Sequence, residues 1–188
     1  MSAPPEVPDV VRRAFEVSRR RGFVSVCRNE TGRLLAALAA TREGTVAEFG
    51  TGSGVGTAWL RSGIRPGTRI LSAELDPELA DAAAELFRDD RTVEVVAADW
   101  STLRDRGPFS LLFLDAREPK GSDPDAVVDL VQPGGLVVLD DFTPCTSWPP
   151  VEGGRVDVLR ERWLTDERFT SVEVMVAPDT AVLVATKR

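Results

Sequence analysis

The sequence predicts an α/β protein, with a doubly wound, mostly parallel seven-stranded sheet that ends in a C-terminal antiparallel hairpin. Three observations lead to this fold class. Apolar, β-branched runs of strand length recur along the chain, helix-length segments separate the first five, and only four residues join the last two. Alternating strands and helices are typical of right-handed βαβ crossovers, whereas a four-residue connection joins antiparallel neighbours.

The elements follow in a regular order. Two helices are expected before the sheet, over residues 9–21 and 30–40, and are linked through residues 22–29. The strands are expected at residues 45–49, 69–74, 92–97, 109–115, 135–140, 171–176 and 181–186. The first five are almost continuously hydrophobic, as expected of parallel strands buried on both faces. We expect one domain over residues 1–188, with residues 1–43 as an N-terminal helical extension.

The connection between the second and third strands gives the clearest crossover helix, residues 77–88. Pro77 suits the first helical turn, and Asp76 suits the N-cap. A further helix is expected to begin at about Val55, directly after the first strand. These helices would cover the faces of the sheet.

Composition and charge exclude several classes of function. The chain has 188 residues and a formal net charge of −7. This negative charge argues against nucleic acid as a partner. The apolar runs are far shorter than the roughly 20 residues of a membrane helix. The first residues are acidic and proline-rich and do not resemble a secretory signal. We therefore expect a cytoplasmic protein without a membrane partner.

Two residue types are missing altogether. The chain contains no histidine and no tyrosine, which excludes Ser-His-Asp and Cys-His hydrolases. Any metal would have to be held by oxygen atoms, which favours magnesium, calcium or manganese. Cys27 and Cys145 lie far apart in the sequence, so neither a disulfide framework nor a zinc site is indicated.

A glycine-rich loop follows the first strand. Open α/β sheets bind ligands at the carboxyl ends of their strands, and glycines there permit positive φ and let a ligand approach the backbone. The dinucleotide pattern G-x-G-x-x-G is not met, because Thr57 takes the place of its third glycine, and a dehydrogenase is disfavoured. The candidate ligand-binding residues here are Glu48, Gly50, Thr51, Gly52, Ser53 and Gly54.

Acidic residues end the next two strands. Glu74 ends the second strand, where a carboxylate can accept hydrogen bonds from both hydroxyls of a ribose. Asp76 competes for this role but is better explained as a helix cap. After the third strand, Asp99 and Trp100 could hold an adenine amino group and cover a ring face. The alternative is a loop cap beside a partly buried tryptophan.

The glycine loop, Glu74 and Asp99, in this order and spacing, resemble the class I S-adenosylmethionine-dependent methyltransferases. The resemblance extends from about residue 30 to the C-terminus and implies their Rossmann-like fold. It implies that the glycine loop lies against the methionine part of the cofactor. It also places Glu74 at the ribose, with Leu75 beside it, and Asp99 at the adenine, with Trp100 beside it.

Residues 29–35 (NETGRLL), before the first strand, and 48–52 (EFGTG), in the loop, are similar to the corresponding segments of a narrower group. These features resemble the small O-methyltransferases of the catechol and caffeoyl-CoA type. The resemblance implies a metal site. Its ligands would be Asp115, which ends the fourth strand, and the pair Asp140 and Asp141 at the end of the fifth. Asp141 stands where the family has asparagine. The family's lysine, three residues after the first aspartate, is replaced by Glu118. Asp115 and the nearby Lys120 are the catalytic candidates.

The expected reaction is methyl transfer to a hydroxyl oxygen of a small molecule, with Mg²⁺ assistance as one alternative and a metal-free site as the other. A sulfonium methyl is already electrophilic, so little acid/base machinery is required. A non-catalytic cofactor-binding module is the competing class, since the lysine is missing. Residues 143–154, with Trp148, form either a substrate wall or an exposed connection. A homodimer is left open.

Overall fold

The structure, a computed structural model, describes residues 6–116 and 124–188. The described strands are β1 (Thr45–Phe49), β2 (Arg69–Glu74), β3 (Val93–Ala97), β4 (Phe109–Leu114), β5 (Val131–Phe142), β6 (Val151–Glu152), β7 (Arg155–Val156), β8 (Phe169–Ala177) and β9 (Thr180–Lys187). The longer helices are α1 (Asp9–Arg21), α2 (Asn29–Ala39), α3 (Val55–Gly63), α4 (Pro77–Leu86) and α5 (Val158–Thr165). Short helical turns cover Trp100–Arg106, Pro124–Val127 and Val128–Leu130.

The main sheet has seven strands in the order β3-β2-β1-β4-β5-β9-β8. The first five strands pair in parallel, and β9 pairs antiparallel with both β5 and β8. This arrangement confirms the predicted doubly wound sheet and its C-terminal hairpin. The order reverses at β1 and β4, so the carboxyl ends of these strands open the crevice in which such sheets bind ligands.

The central strands are buried on both faces, as their continuous hydrophobicity predicts. Alternate residues of a strand point to opposite faces of the sheet. In β1, Phe49 packs into one hydrophobic cluster with Leu112 and Leu114, while Val46 packs into the other with Leu111. The sheet therefore lies between two apolar layers, which fixes the carboxyl ends of its strands.

The N-terminal helices pack closely against α3. A Cβ atom at Gly32 would collide with the indole of Trp59, and one at Gly63 would collide with the Ala36 carbonyl. Only glycine allows α2 and α3 to approach this closely. The resulting contact holds residues 22–28, the connection between α1 and α2, close to the end of β1.

Some elements differ from the sequence prediction. Strand β5 begins at Val131, earlier than predicted, because Val131 pairs with Phe109 before a shift in register. Residues 143–154 were predicted as a loop, but part of this segment forms one strand of the small β6–β7 hairpin. Helix α5 was not predicted. Among the described residues, no helix is long and apolar enough to cross a membrane.

Candidate active site

A cleft of about 530 Å³ opens at the carboxyl ends of β1, β2 and β4. The glycine loop forms one wall, Glu74 and Asp115 contribute carboxylates, and the α1–α2 connection forms the opposite wall. The cleft therefore lies where the sheet order reverses. Most of the predicted glycine loop lines it, together with two of the predicted acidic residues, Glu74 and Asp115. Its lining residues are Phe23, Ser25, Val26, Cys27, Gly50, Thr51, Gly52, Ser53, Val55, Gly56, Glu74, Asp115 and Ala116.

The backbone of the glycine loop requires its glycines. Gly50, Gly52 and Gly54 have φ angles of 107°, 52° and 85°, which L side chains rarely adopt. A Cβ at Gly50 would also lie 2.5 Å from the Ala116 amide nitrogen. The loop thus exposes backbone to the cleft, and helix α3 begins directly after it.

Glu74 connects the end of β2 to this loop. Its Oε2 accepts a hydrogen bond from the Gly52 amide at 2.7 Å, and its Oε1 accepts one from the Asp76 amide at 2.9 Å. Each carboxylate oxygen has a second lone pair available for a ligand hydroxyl.

The neighbours of Glu74 have other surroundings. Asp76 caps α4 by accepting hydrogen bonds from the Glu78 and Leu79 amides, as predicted. Leu75 is 71% exposed.

Glu48, predicted as a cofactor-binding residue of the loop segment, lies behind the glycine loop. Its side chain is fully buried behind the loop and does not line the cleft. It accepts hydrogen bonds from the hydroxyls of Thr57 and Ser72, the second at 2.7 Å. Burial raises the pKa of Glu48 to about 8, despite these hydrogen bonds, which lower it. Gly56 makes room for the carboxylate, so Glu48 supports the start of α3 from behind.

Asp99 and Trp100 also lie outside the lining of this cleft. Asp99 accepts a hydrogen bond from the Ser101 amide at 2.9 Å and caps the helical turn, and its contacts with Ser101 lower its pKa. The Trp100 ring lies 5.2 Å from the ring of Phe49. The Arg104 guanidinium lies 5.1 Å from the Trp100 ring. The geometry is that of a loop cap beside a packed tryptophan, and a contact with adenine stays a prediction.

The predicted metal ligands are not gathered into a metal-binding group. No cluster of three or more His, Cys, Asp or Glu residues suited to a metal occurs within residues 6–116 and 124–188. Asp115 lines the cleft, but Asp140 is buried and accepts hydrogen bonds from the Thr31 hydroxyl at 3.1 Å and the Asp141 amide at 2.8 Å. Asp141 has a positive φ of 67°. The donor set therefore does not fit a metal ion in this arrangement. Lys120 and Glu118 lie outside the described residues.

The α1–α2 connection is the part of the site that the sequence analysis missed. A Cβ at Gly52 would lie 2.9 Å from the Phe23 ring, so Phe23 covers the glycine loop. Cys27 is buried in the wall, and burial, followed by the charges of Asp115 and Asp140, raises its pKa well above the usual value. An aromatic and apolar segment between two helices was the only available signal.

The fold and the cleft define a Rossmann-like α/β protein with a ligand site at the switch point of its sheet. The model of the methyltransferase domain family matches residues 47–142, just over half of the chain. The chain belongs to this family. The matched segment contains the glycine loop, Glu74 and Asp115, and membership confirms the resemblance found in the sequence.

Curated relatives are similar over part of their length. Protein-L-isoaspartate O-methyltransferase of Aeropyrum pernix is 34% identical over 117 residues, which cover 60% of this chain and 44% of that protein. Catechol O-methyltransferase of Mycobacterium tuberculosis is 33% identical over 120 residues, covering 60% of this chain and 54% of that protein. The chain thus spans about half the length of the curated relatives it matches.

Solved structures share the fold over almost the whole chain. A methyltransferase from Geobacter sulfurreducens has a TM-score of 0.77 and 20% identity, covering 98% of this chain and 90% of that one. The O-methyltransferase TomG from Streptomyces achromogenes, solved in complex with SAM, has a TM-score of 0.76 and 20% identity, covering 97% and 92%. Both support the methyltransferase fold.

Proposed function

We propose that the chain is an S-adenosylmethionine-dependent methyltransferase that transfers the methyl group to a hydroxyl oxygen of a small molecule. The observation that carries this proposal is the junction of the glycine loop with Glu74 inside the cleft. The glycine loop exposes backbone that suits a compact, charged group of a ligand. The carboxylate of Glu74 suits the hydroxyls of a ribose. The curated relatives named as O-methyltransferases support the choice of oxygen as acceptor.

The residues present fit the cofactor. Ser53 Oγ is buried in the cleft wall and has no hydrogen-bond partner among the described residues. A buried polar atom without a partner is costly, and a polar ligand group would satisfy it. The cofactor supplies an electrophilic sulfonium methyl group. The glycine loop would receive its amino-acid end, and Glu74 would accept hydrogen bonds from its ribose.

Asp115 is the candidate for orienting the acceptor. It directly follows β4 and lines the cleft, next to Ala116, which packs against Gly50. In this proposal its carboxylate accepts a hydrogen bond from the acceptor hydroxyl and holds the oxygen in line with the methyl group. It would take up the hydroxyl proton as the oxygen–methyl bond forms and the sulfur–methyl bond breaks, which leaves the demethylated cofactor. Lys120 remains the second catalytic candidate from the sequence. The proposed transfer uses no metal ion, because the predicted ligands are not gathered into a metal-binding group among the described residues.

Methyl transfer tests the function. Incubation of the chain with methyl-labelled cofactor and a panel of catechols and phenols is expected to give a methylated product. Asp115→Ala is expected to lower turnover by about 100-fold, in the range of acid/base and orienting groups, and to leave cofactor affinity unchanged. Cofactor binding with no transfer to any acceptor in the panel would favour the non-catalytic module instead.

The same assay tests the predicted magnesium. Turnover is measured with added Mg²⁺ and with a chelator, in the unchanged chain and in Asp141→Asn, which restores the family's residue. Asparagine also tolerates the positive φ at this position, so this variant is a matched control for folding. A loss of turnover with chelator would show that the aspartates gather around a metal in the working enzyme.

Gly52→Val is expected to abolish cofactor binding while the protein remains folded. The branched side chain would strain a φ of 52° and press on the Phe23 ring, closing the cleft. Calorimetry measures the affinity, and circular dichroism measures folding. Gly67→Val is the control, because Gly67 also has a positive φ, of 91°, but a Cβ there would meet no atom within 4 Å. Equal loss of affinity in the two variants would contradict the placement of the loop.

A further inference from the structure

A second cleft, of about 440 Å³, lies at the opposite edge of the sheet from the candidate active site. Thr45 and Arg69 line it and are the first residues of β1 and β2, so it is at the amino ends of these strands. Arg91, Glu94 and Arg106 complete its charged lining. No part of the proposed methyl transfer uses these residues.

One of the three arginines is held by an acid. The guanidinium of Arg106 donates two hydrogen bonds to Glu94, at 2.7 Å and 2.8 Å, one to each carboxylate oxygen. These hydrogen bonds, and then the charges of Arg106 and Arg69, lower the pKa of Glu94. The pair is fixed in the wall of the cleft, and Glu94 is the single acid in its lining.

The other two arginines have no such acid. Neither Arg69 nor Arg91 forms a side-chain hydrogen bond or ion pair with any residue that the structure describes. Elsewhere in this acidic chain arginines do find carboxylates, as Arg61 does with Asp90 and Arg168 with Asp166. The lining of the cleft therefore carries three arginines against one glutamate, a formal charge of 3 − 1 = +2.

We propose that this cleft binds the phosphate group of a small molecule. A phosphate carries a charge of about −1.5 to −2 at neutral pH, which matches the charge of the cleft. Arginine presents a planar fork of donors that suits phosphate oxygens, and Thr45 adds a hydroxyl. The enclosed part of the cleft is smaller than usual small-molecule sites, so it suits the phosphate group itself, with the rest of the ligand outside.

Calorimetry of the full chain with inorganic phosphate, and separately with ribose 5-phosphate, tests the site. Both are expected to bind at millimolar concentrations or below, at constant ionic strength. Tighter binding of ribose 5-phosphate would identify a phosphate monoester as the ligand, whereas equal affinities would identify free phosphate. Absence of saturable binding for both probes would overturn the proposal.

Variants locate the binding. Arg69→Gln and Arg91→Gln are each expected to weaken phosphate binding about tenfold or more, the loss of one charge-assisted contact. Arg65→Gln removes an exposed arginine in the turn before β2, outside the cleft lining, and is expected to change nothing. Glu94→Gln is expected to tighten binding, because it removes the negative charge from the lining.

The affinity for S-adenosylmethionine is expected to be the same in all four variants, since the two clefts lie at opposite edges of the sheet. This separates failure of the phosphate site from failure of the proposed function. Equal phosphate affinity in Arg65→Gln, Arg69→Gln and Arg91→Gln would show that the anion binds through overall charge alone and would overturn the site.

Discussion

Replacement of Glu48 by glutamine is expected to stabilise the protein above pH 8 and to leave its stability near pH 4.5 almost unchanged. The pKa of the buried Glu48 is about 8, against a usual 4.5, so the folded protein keeps this carboxyl group protonated where the unfolded chain ionises it. The stabilising contribution is complete below pH 4.5 and is lost as the pH rises through about 8. Glutamine stays neutral throughout and keeps an oxygen that accepts from Thr57 and Ser72.

Urea unfolding at pH 5, 7 and 9 measures this effect. The free energy of unfolding of the unchanged chain is expected to fall relative to that of Glu48→Gln by on the order of 3 kcal/mol between the lowest and highest pH. Glu43→Gln changes an exposed carboxylate just before β1 and serves as the control. If the Glu48→Gln curve runs parallel to that of the unchanged chain, Glu48 does not titrate in this range.

Glu74→Ala is expected to weaken the binding of S-adenosylmethionine by on the order of 1.5–3 kcal/mol, about 10- to 100-fold. The variant removes the carboxylate proposed for the ribose hydroxyls. It also removes the acceptor of the Gly52 amide, so the glycine loop loses a hydrogen bond of 2.7 Å that fixes its position. Both losses act on the same ligand.

Calorimetry with S-adenosylmethionine and with its demethylated product checks this prediction. Asp76→Ala is the matched control, because Asp76 caps α4 and its loss is expected to cost about 1 kcal/mol of stability with little change in affinity. This pair of variants also resolves which of the two neighbouring acids binds the ribose. Equal affinity losses in the two variants would remove the assignment of Glu74.

Local patterns predicted the sheet because its strands are long, apolar and separated by recognisable helices. The ends of β1, β2 and β4 fall within a residue of their predicted positions, and the cleft forms at those ends. Helix α5 escaped prediction for a physical reason. Its Arg160 is fully buried, bound to Asp157 and Glu173, so a charged residue occupies a position that a hydrophobic pattern would assign to solvent.

The candidate site divides in the same way. The glycine loop and Glu74 could be predicted, because each lies at the carboxyl end of a strand that the sequence predicts. The direction of a parallel strand then fixes which end of the sheet the residue occupies. The wall formed by Phe23 and Cys27 could not, because it depends on how α2 packs against α3. The burial of Glu48 behind the loop could not be predicted, because the sequence contains no sign that Gly56 opens a pocket for its carboxylate.

Under the proposed function, the hydrogen bond between Gly52 and Glu74 would couple recognition of the two halves of the cofactor. One carboxylate serves both the loop, at the amino-acid end, and the proposed ribose contact. A fragment that contains only the nucleoside would contact the same carboxylate that holds the loop in place for the missing half. The binding free energies of two such fragments are therefore not expected to be additive, because both depend on the same carboxylate.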